Sequence, residues 1–206
     1  MTDYFALLNE QRRPWIDPEM LKTRFLIISA EIHPDRVHLA SPEERQAAQN
    51  RYAEVNAAYQ CLREPRDRLR HLIELERGEK PNAIQRLPSD MMDWSVAIGQ
   101  LCREVDRFLT QRANADSAML KAQQFRDALD WTERLRGAQQ NLAPALAGLA
   151  DTLKNLNPVW ESATALGPAE RRAQLPLEQL ENIYSQLSYL CRWHAQISER
   201  IVQLSF

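Results

Sequence analysis

Glycine is nearly absent, five residues in 206. The turns with positive φ on which hairpin-rich β folds depend are therefore few. No segment alternates apolar and polar residues as a half-buried strand would. Cysteine is scarce too. Cys61, Cys102 and Cys191 are odd in number and far apart, which excludes a disulfide framework and points to ordinary buried thiols in a reducing compartment. No apolar run approaches the roughly 20 residues needed to cross a bilayer. The first residues, MTDYFALLNEQRR, carry an early acid and no small-residue cleavage site, so no signal peptide is expected. Charge of one sign is missing as well: 26 Lys and Arg stand against 28 Asp and Glu, a formal net charge of −2. No global positive field draws in nucleic acid or an anionic membrane. The cytoplasm is the expected location.

What is present is helical periodicity, so the expected class is all-α. Tyr4 to Leu8 reads as a short first helix. Asp17-Pro18-Glu19 supplies a capping carboxylate, a proline at the first helical position and an acid at the positive helix end. Leu21, Phe25, Ile28 and Ile32 then follow at spacings that place them on one face. Ser41-Pro42-Glu43-Glu44 has a capping-box pattern and opens a second long helix with Ala48, Tyr52, Val55, Tyr59 and Leu62 on its apolar side. Pro65 ends it, and a short basic helix runs to Gly78. Residues 77–90 hold two prolines and a glycine and read as a linker, with Ser89 or Asp90 as cap for the next helix. That helix buries Ile98, Leu101, Val105 and Phe108. Another starts near Asp116 with Ala122, Phe125 and Leu129 inward, and Gly137 and Pro144 are expected to break or bend it. Leu142, Leu146, Leu149, Leu153 and Leu156 form a stripe, and Asn157-Pro158 and Gly167-Pro168 bound a weaker segment. The last helix, about 177–204, has His194 on its apolar stripe, read as a satisfied core histidine; His71 lies on a helix as a packed or surface histidine. The five tryptophans, Trp15, Trp94, Trp131, Trp160 and Trp193, are core or interface candidates. Long striped helices need partners, so residues 91–206 are expected to form an antiparallel bundle.

The helical pattern that starts at Pro18 stops in EIHPDRVH. A proline at position 34 removes a helical hydrogen bond and pushes His33 out of the helical region. An imidazole and a carboxylate are thus displayed on a stiff bend. His33 and His38 lack the acids or cysteines that would complete a metal site. His33 with Asp35 as an acid–base pair leaves nucleophile and substrate pocket unaccounted for. A bend between two amphipathic helices, preceded by Asp3-Tyr4-Phe5, Leu7, Asp17, Leu21 and Arg24-Phe25 and followed by Val55 to Tyr59, Leu62, Pro65 and Arg68, resembles the J-domain of DnaJ-type co-chaperones. It is most similar to that of the HscB family of iron–sulfur cluster assembly.

The likeness covers residues 3–75 and implies a J-domain at 1–76, a linker at 77–90 and a client-binding helical bundle at 91–206. It implies a DnaK-type ATPase chaperone as partner, bound through His33, Pro34, Asp35 and Arg36 and through Lys22, Arg24, Leu26 and Ile27 of the preceding helix. Asp35 would meet a cation on the chaperone, Pro34 would fix the bend and His33 would hold the loop. Met91, Met92 and Glu104 are the client-binding candidates, with an iron–sulfur scaffold protein as the implied client. Neither cofactor nor metal nor an enzymatic activity of its own is implied. Leu26 and Ile27 stand where many J-domains carry bases, Ala30 and Glu31 replace others, and no cysteine precedes Cys61 to form the zinc module of eukaryotic relatives. The C-terminal region is also longer than the family's, with the surplus around Gly137 to Pro176. The competing reading is a helical scaffold whose J-like domain no longer stimulates an ATPase.

Overall fold

The computed structural model describes residues 1–37, 40–81, 88–113 and 117–205, with the side chains of Asp90 and Ala118 excepted. Eight α-helices occur among the described residues, and no strand. They are α1 (Tyr4–Leu7), α2 (Pro18–Glu31), α3 (Pro42–Arg63), α4 (Pro65–Arg77), α5 (Met92–Arg112), α6 (Ala118–Ser162), α7 (Pro168–Gln174) and α8 (Leu177–Leu204). The all-α expectation holds.

The chain forms two compact units: Met1–Ala83 with Ala150–Tyr184, and Ile84–Leu149 with Ser185–Phe206. This cuts the chain differently from 1–76, 77–90 and 91–206, because the end of α6, α7 and the start of α8 pack with the N-terminal helices. Of the expected linker, residues 82–87 lie outside the described residues.

In the first unit α1 to α4 start and stop where their local signals lie. Asp3 and Asp17 each accept two backbone N–H bonds at the starts of α1 and α2. Ser41 and Glu44 make the reciprocal capping box at the start of α3. Gly78 ends α4 in the left-handed region at φ 83°, donating its N–H to the Glu74 carbonyl, a conformation that glycine adopts without a Cβ clash. Phe5, Leu8, Leu21, Leu62, Leu69, Leu72, Leu153 and Trp160 are buried. Polar groups are buried among them. The Arg68 guanidinium donates to the carbonyls of Pro14 (2.9 Å) and Leu62 (2.7 Å). Burial pulls its pKa down to about 10. Asn157 of α6 bonds both the N–H and the carbonyl of Trp15, at 3.0 and 2.9 Å. Glu76 and Arg171 form a two-bond ion pair at 2.8 Å, and Arg171 also donates to the Ala163 carbonyl.

In the second unit Ile98, Cys102 and Val105 of α5 share a core with Ala128, Leu135 and Leu142 of α6 and Leu190, Trp193, Ile197 and Leu204 of α8. Ion pairs stand at its margin: Glu104 with Arg134 at 3.2 Å, and Asp106 with Arg200 at 2.7 Å.

Several expectations give way here. α6 does not break at Gly137, Pro144 or Asn157-Pro158; it is one helix of 45 residues. Pro144 and Pro158 face solvent, as do Gln140 and Lys154 four residues before them. The carbonyls that lose their helical N–H partners therefore meet water, which lowers the cost of an interior proline. Continuity also sets the inward face. The buried row at Leu142 carries back by sevens to Leu135 and Ala128. Ala122, Phe125 and Leu129, expected in the core, are exposed instead, Phe125 by 60% and Leu129 by 55%. Helix α6 starts at Ala118, Asp116 lying outside the described residues. Ser89 does not cap α5: a 3-10 turn over Ser89–Met91 leads into it, and Met91 stands at the cap position; the side chain of Asp90, the other expected cap, lies outside the described side chains. His194 is exposed, its ring 2.7 Å from the Gln139 amide nitrogen. Cys191 is exposed as well, so only Cys102 matches the expectation of a fully buried thiol.

Candidate functional site

The bend after α2 is built by three local devices. Helix α2 ends at Glu31, and the Ile32 N–H closes the last turn on the Ile28 carbonyl at 3.1 Å. Pro34 cannot donate, so the chain tightens into a 3-10 turn over Pro34–Val37, with the Arg36 N–H on the His33 carbonyl at 3.0 Å. The Ser41–Glu44 capping box then starts α3 four residues beyond the turn.

Within the turn, His33 Nδ1 accepts the Asp35 N–H at 3.3 Å and lies 3.4 Å from the Asp35 carboxylate. The neutral ring with a bare Nδ1 satisfies the first contact; a protonated ring satisfies the second. The ring also stands edge-on to Tyr52 of α3, centroids 5.4 Å apart at 77°. Tyr52 was legible in the sequence only as a core residue. Its second role, carrying the imidazole, depends on the crossing of α2 and α3, to which no local motif points. Two turns away along α3, Phe25 stacks on Tyr59 at 4.2 Å and 11°, so the hairpin that presents the bend is clasped by two aromatic contacts. His33, Asp35 and Arg36 are exposed, and Pro34 is half-buried. His38 lies outside the described residues.

The candidate residues of α2 divide. Lys22, Leu26 and Ile27 face solvent. Arg24 turns back on the chain: it pairs with the buried Glu10 carboxylate at 3.2 Å and donates to the Asn9 carbonyl. Asn9 holds φ 52°, a left-handed conformation that asparagine tolerates better than most residues. The three client candidates also separate. Met91 belongs to the core of the second unit, Met92 is 55% exposed, and Glu104 is tied to Gln100 and Arg134. The Gln100 amide and the Arg134 guanidinium hold the Glu104 carboxyl below its usual pKa.

No family model matches the chain. Curated relatives do. The co-chaperone protein HscB homologues of Bordetella pertussis, Bordetella parapertussis and Bordetella bronchiseptica are each 30% identical to it over 127 residues, 59% of this chain and 75% of theirs. The chain belongs to the HscB co-chaperone family. The crystal structure of the human co-chaperone protein HscB superposes with a TM-score of 0.59 at 18% identity, over 96% of this chain and 81% of that one. At that identity the superposition speaks for the HscB fold alone. The resemblance carried by Tyr4, Asp17, Phe25 and the His33-Pro34-Asp35 bend thus leads to the same family as the relatives do.

Proposed function

We propose that residues 1–76 act as a J-domain that docks on a DnaK-type ATPase chaperone through His33, Pro34 and Asp35. The docked chain accelerates the chaperone's ATP hydrolysis while performing no chemistry itself, and it brings a client, an iron–sulfur scaffold protein, to the chaperone in the cytoplasm. One observation carries this reading: a His-Pro-Asp turn at the tip of a helical hairpin, its imidazole backed by Tyr52 and its carboxylate in solvent. An exposed carboxylate held by a short turn loses little entropy on meeting a cation of the partner, and such charge-assisted contacts are strong. Client binding falls to the second unit, where Met92 is the candidate that offers an exposed apolar side chain.

Asp35→Asn removes the charge and keeps the shape. It is expected to leave the circular dichroism melt unchanged and to cost about 2–5 kcal/mol in the contact, as loss of one partner of a charged pair does. Stimulation of the ATPase by a purified DnaK-type chaperone should then fall to the basal rate. Wild-type stimulation by Asp35→Asn would reduce the bend to a turn and favour the scaffold reading.

A further inference from the structure

The exposed apolar surface of the second unit is concentrated at one place. Met119, Leu120, Phe125 and Leu129 are 85%, 43%, 60% and 55% exposed, four of the seven strongly exposed large apolar side chains among that unit's described residues. All four fall near the start of α6. Scattered apolar residues are normal at a surface; their concentration on one stretch of helix is not. By helical spacing, Ala122 and Leu129 form one line along α6, about a third of a turn from the buried line of Ala128, Leu135 and Leu142. Phe125 and Thr132 flank the exposed line on one side, and Met119, Arg126 and Glu133 on the other.

Two charges on that flank lack partners. Arg126 and Glu133 are exposed and form no ion pair among the described residues, whereas Glu104 with Arg134 and Asp106 with Arg200 are paired in the same unit. They stand seven residues apart, about two turns, too far to pair with each other along the helix. When two copies of a helix lie antiparallel, each flank meets the same flank of the other copy. A two-fold axis beside Leu129 therefore brings the two Leu129 side chains together. It sets each Phe125 beside Thr132 of the other copy, and each Arg126 beside Glu133 of the other copy. A parallel pairing would set this flank against the opposite one and leave both charges without a counter-charge.

We propose that the first part of α6 is a dimer surface, and that its occupant is α6 of a second copy of this chain, antiparallel, with Leu129 at the two-fold axis and two Arg126–Glu133 ion pairs across it. The proposal is independent of the chaperone and client readings: it uses neither the His-Pro-Asp bend nor Met92. About four turns of helix on each side bury on the order of 1,000 Å² in total, at the low end of specific interfaces, so the dimer is weak and reversible.

The test is sedimentation velocity of the full chain from about 5 to about 500 µM, a range that brackets a weak interface. Reducing buffer keeps the exposed Cys191 from cross-linking. All the positions changed are exposed, and a thermal melt at the lowest concentration checks that each variant folds. Wild type should pass from one chain to two across the range. Leu129→Glu places two carboxylates at the axis and should remain a single chain throughout. Arg126→Glu and Glu133→Arg each set like charges together twice and should weaken the dimer about tenfold or more. Combining them restores opposite charges and should return the affinity to within about threefold of wild type. A purely local role for either residue gives no such recovery, so a double variant as weak as the single ones overturns the proposal. So does a dimer that Leu129→Glu leaves intact, and so does a wild type that stays a single chain at the highest concentration. In that last case, weaker binding of a purified DnaK-type chaperone or iron–sulfur scaffold protein by Leu129→Glu would assign the row to that partner instead.

Discussion

The two units of the chain are held together in different ways. The second is a layer of leucine, isoleucine and tryptophan between three long helices, with its ion pairs at the margin. The first buries Glu10, Ser29, Arg68, His71, Glu76 and Asn157, six of the seven buried polar residues among those described; Gln124 alone belongs to the second. The difference follows from what each must cover. Long helices satisfy their own backbone, so side chains between them need only fill space. The first unit also covers irregular backbone at residues 9–17 and the ends of several short helices. Those carbonyls and N–H groups need partners, and Arg68, Asn157 and Arg171 supply them. Unit one thus depends on paired polar groups that are costly to disturb, unit two on area.

Three measurements sharpen this contrast. The largest effect is expected at the Glu76–Arg171 pair, whose side chains are 3% and 12% exposed. Glu76→Gln leaves the guanidinium buried without its counter-charge and should cost about 3–5 kcal/mol, read as a lower urea midpoint and as lost amide protection in α7. A midpoint within about 0.5 kcal/mol of wild type would show that the pair is solvated and the contrast false.

His71 is expected to give an intermediate effect. Its ring stacks on Tyr4 with centroids 4.5 Å apart, and its Nε2 accepts the Tyr4 N–H at 3.1 Å, a contact that requires a bare nitrogen. Burial lowers its pKa below the ordinary 6.5; Asp3 and Glu74 oppose this, and Arg12 and Arg70 add to it. The unfolded chain therefore takes up the proton more readily. The folded state loses stability as pH falls below about 6.5, until the folded ring is protonated too. His71→Gln keeps an acceptor for Tyr4 and removes the titration. The difference in stability between wild type and this variant should shrink or reverse from about pH 7 to pH 5. A pH-independent difference would mean that His71 is not held neutral by its surroundings.

The smallest effect is expected at the margin of the second unit. Asp106 is half exposed, and Asp106→Asn should change stability by under about 1 kcal/mol despite the 2.7 Å contact with Arg200. A loss comparable with that of Glu76→Gln would erase the distinction between the units.

The helices of the first 78 residues were legible because their boundary signals are local. Asp17, Ser41 with Glu44, Pro65 and Gly78 each act within a few residues of their own position, and the structure uses each of them at or next to a helix end. The His33-Pro34-Asp35 bend was legible for the same reason, since proline restricts its own backbone and that of its predecessor wherever it stands. The C-terminal helices were harder. Gly137, Pro144 and Pro158 carry the same local signals of interruption, yet α6 runs through all three. Whether a proline breaks a helix depends on what surrounds the carbonyl it frees, and solvent on that side is a tertiary fact.

The amino-acid sequence by itself determined the all-α class, the ends of the first helices and the bend that presents His33 and Asp35, because capping, proline geometry and helical periodicity act over a few residues. Only the tertiary structure decided which apolar row of α6 is buried, that Arg24 turns to Glu10, that Tyr52 backs His33, and that residues 150–184 pack with the N-terminal helices. Those outcomes depend on pairs far apart in the chain, such as Trp15 with Asn157 and Glu76 with Arg171, whose complementarity appears only when folding has removed both partners from water.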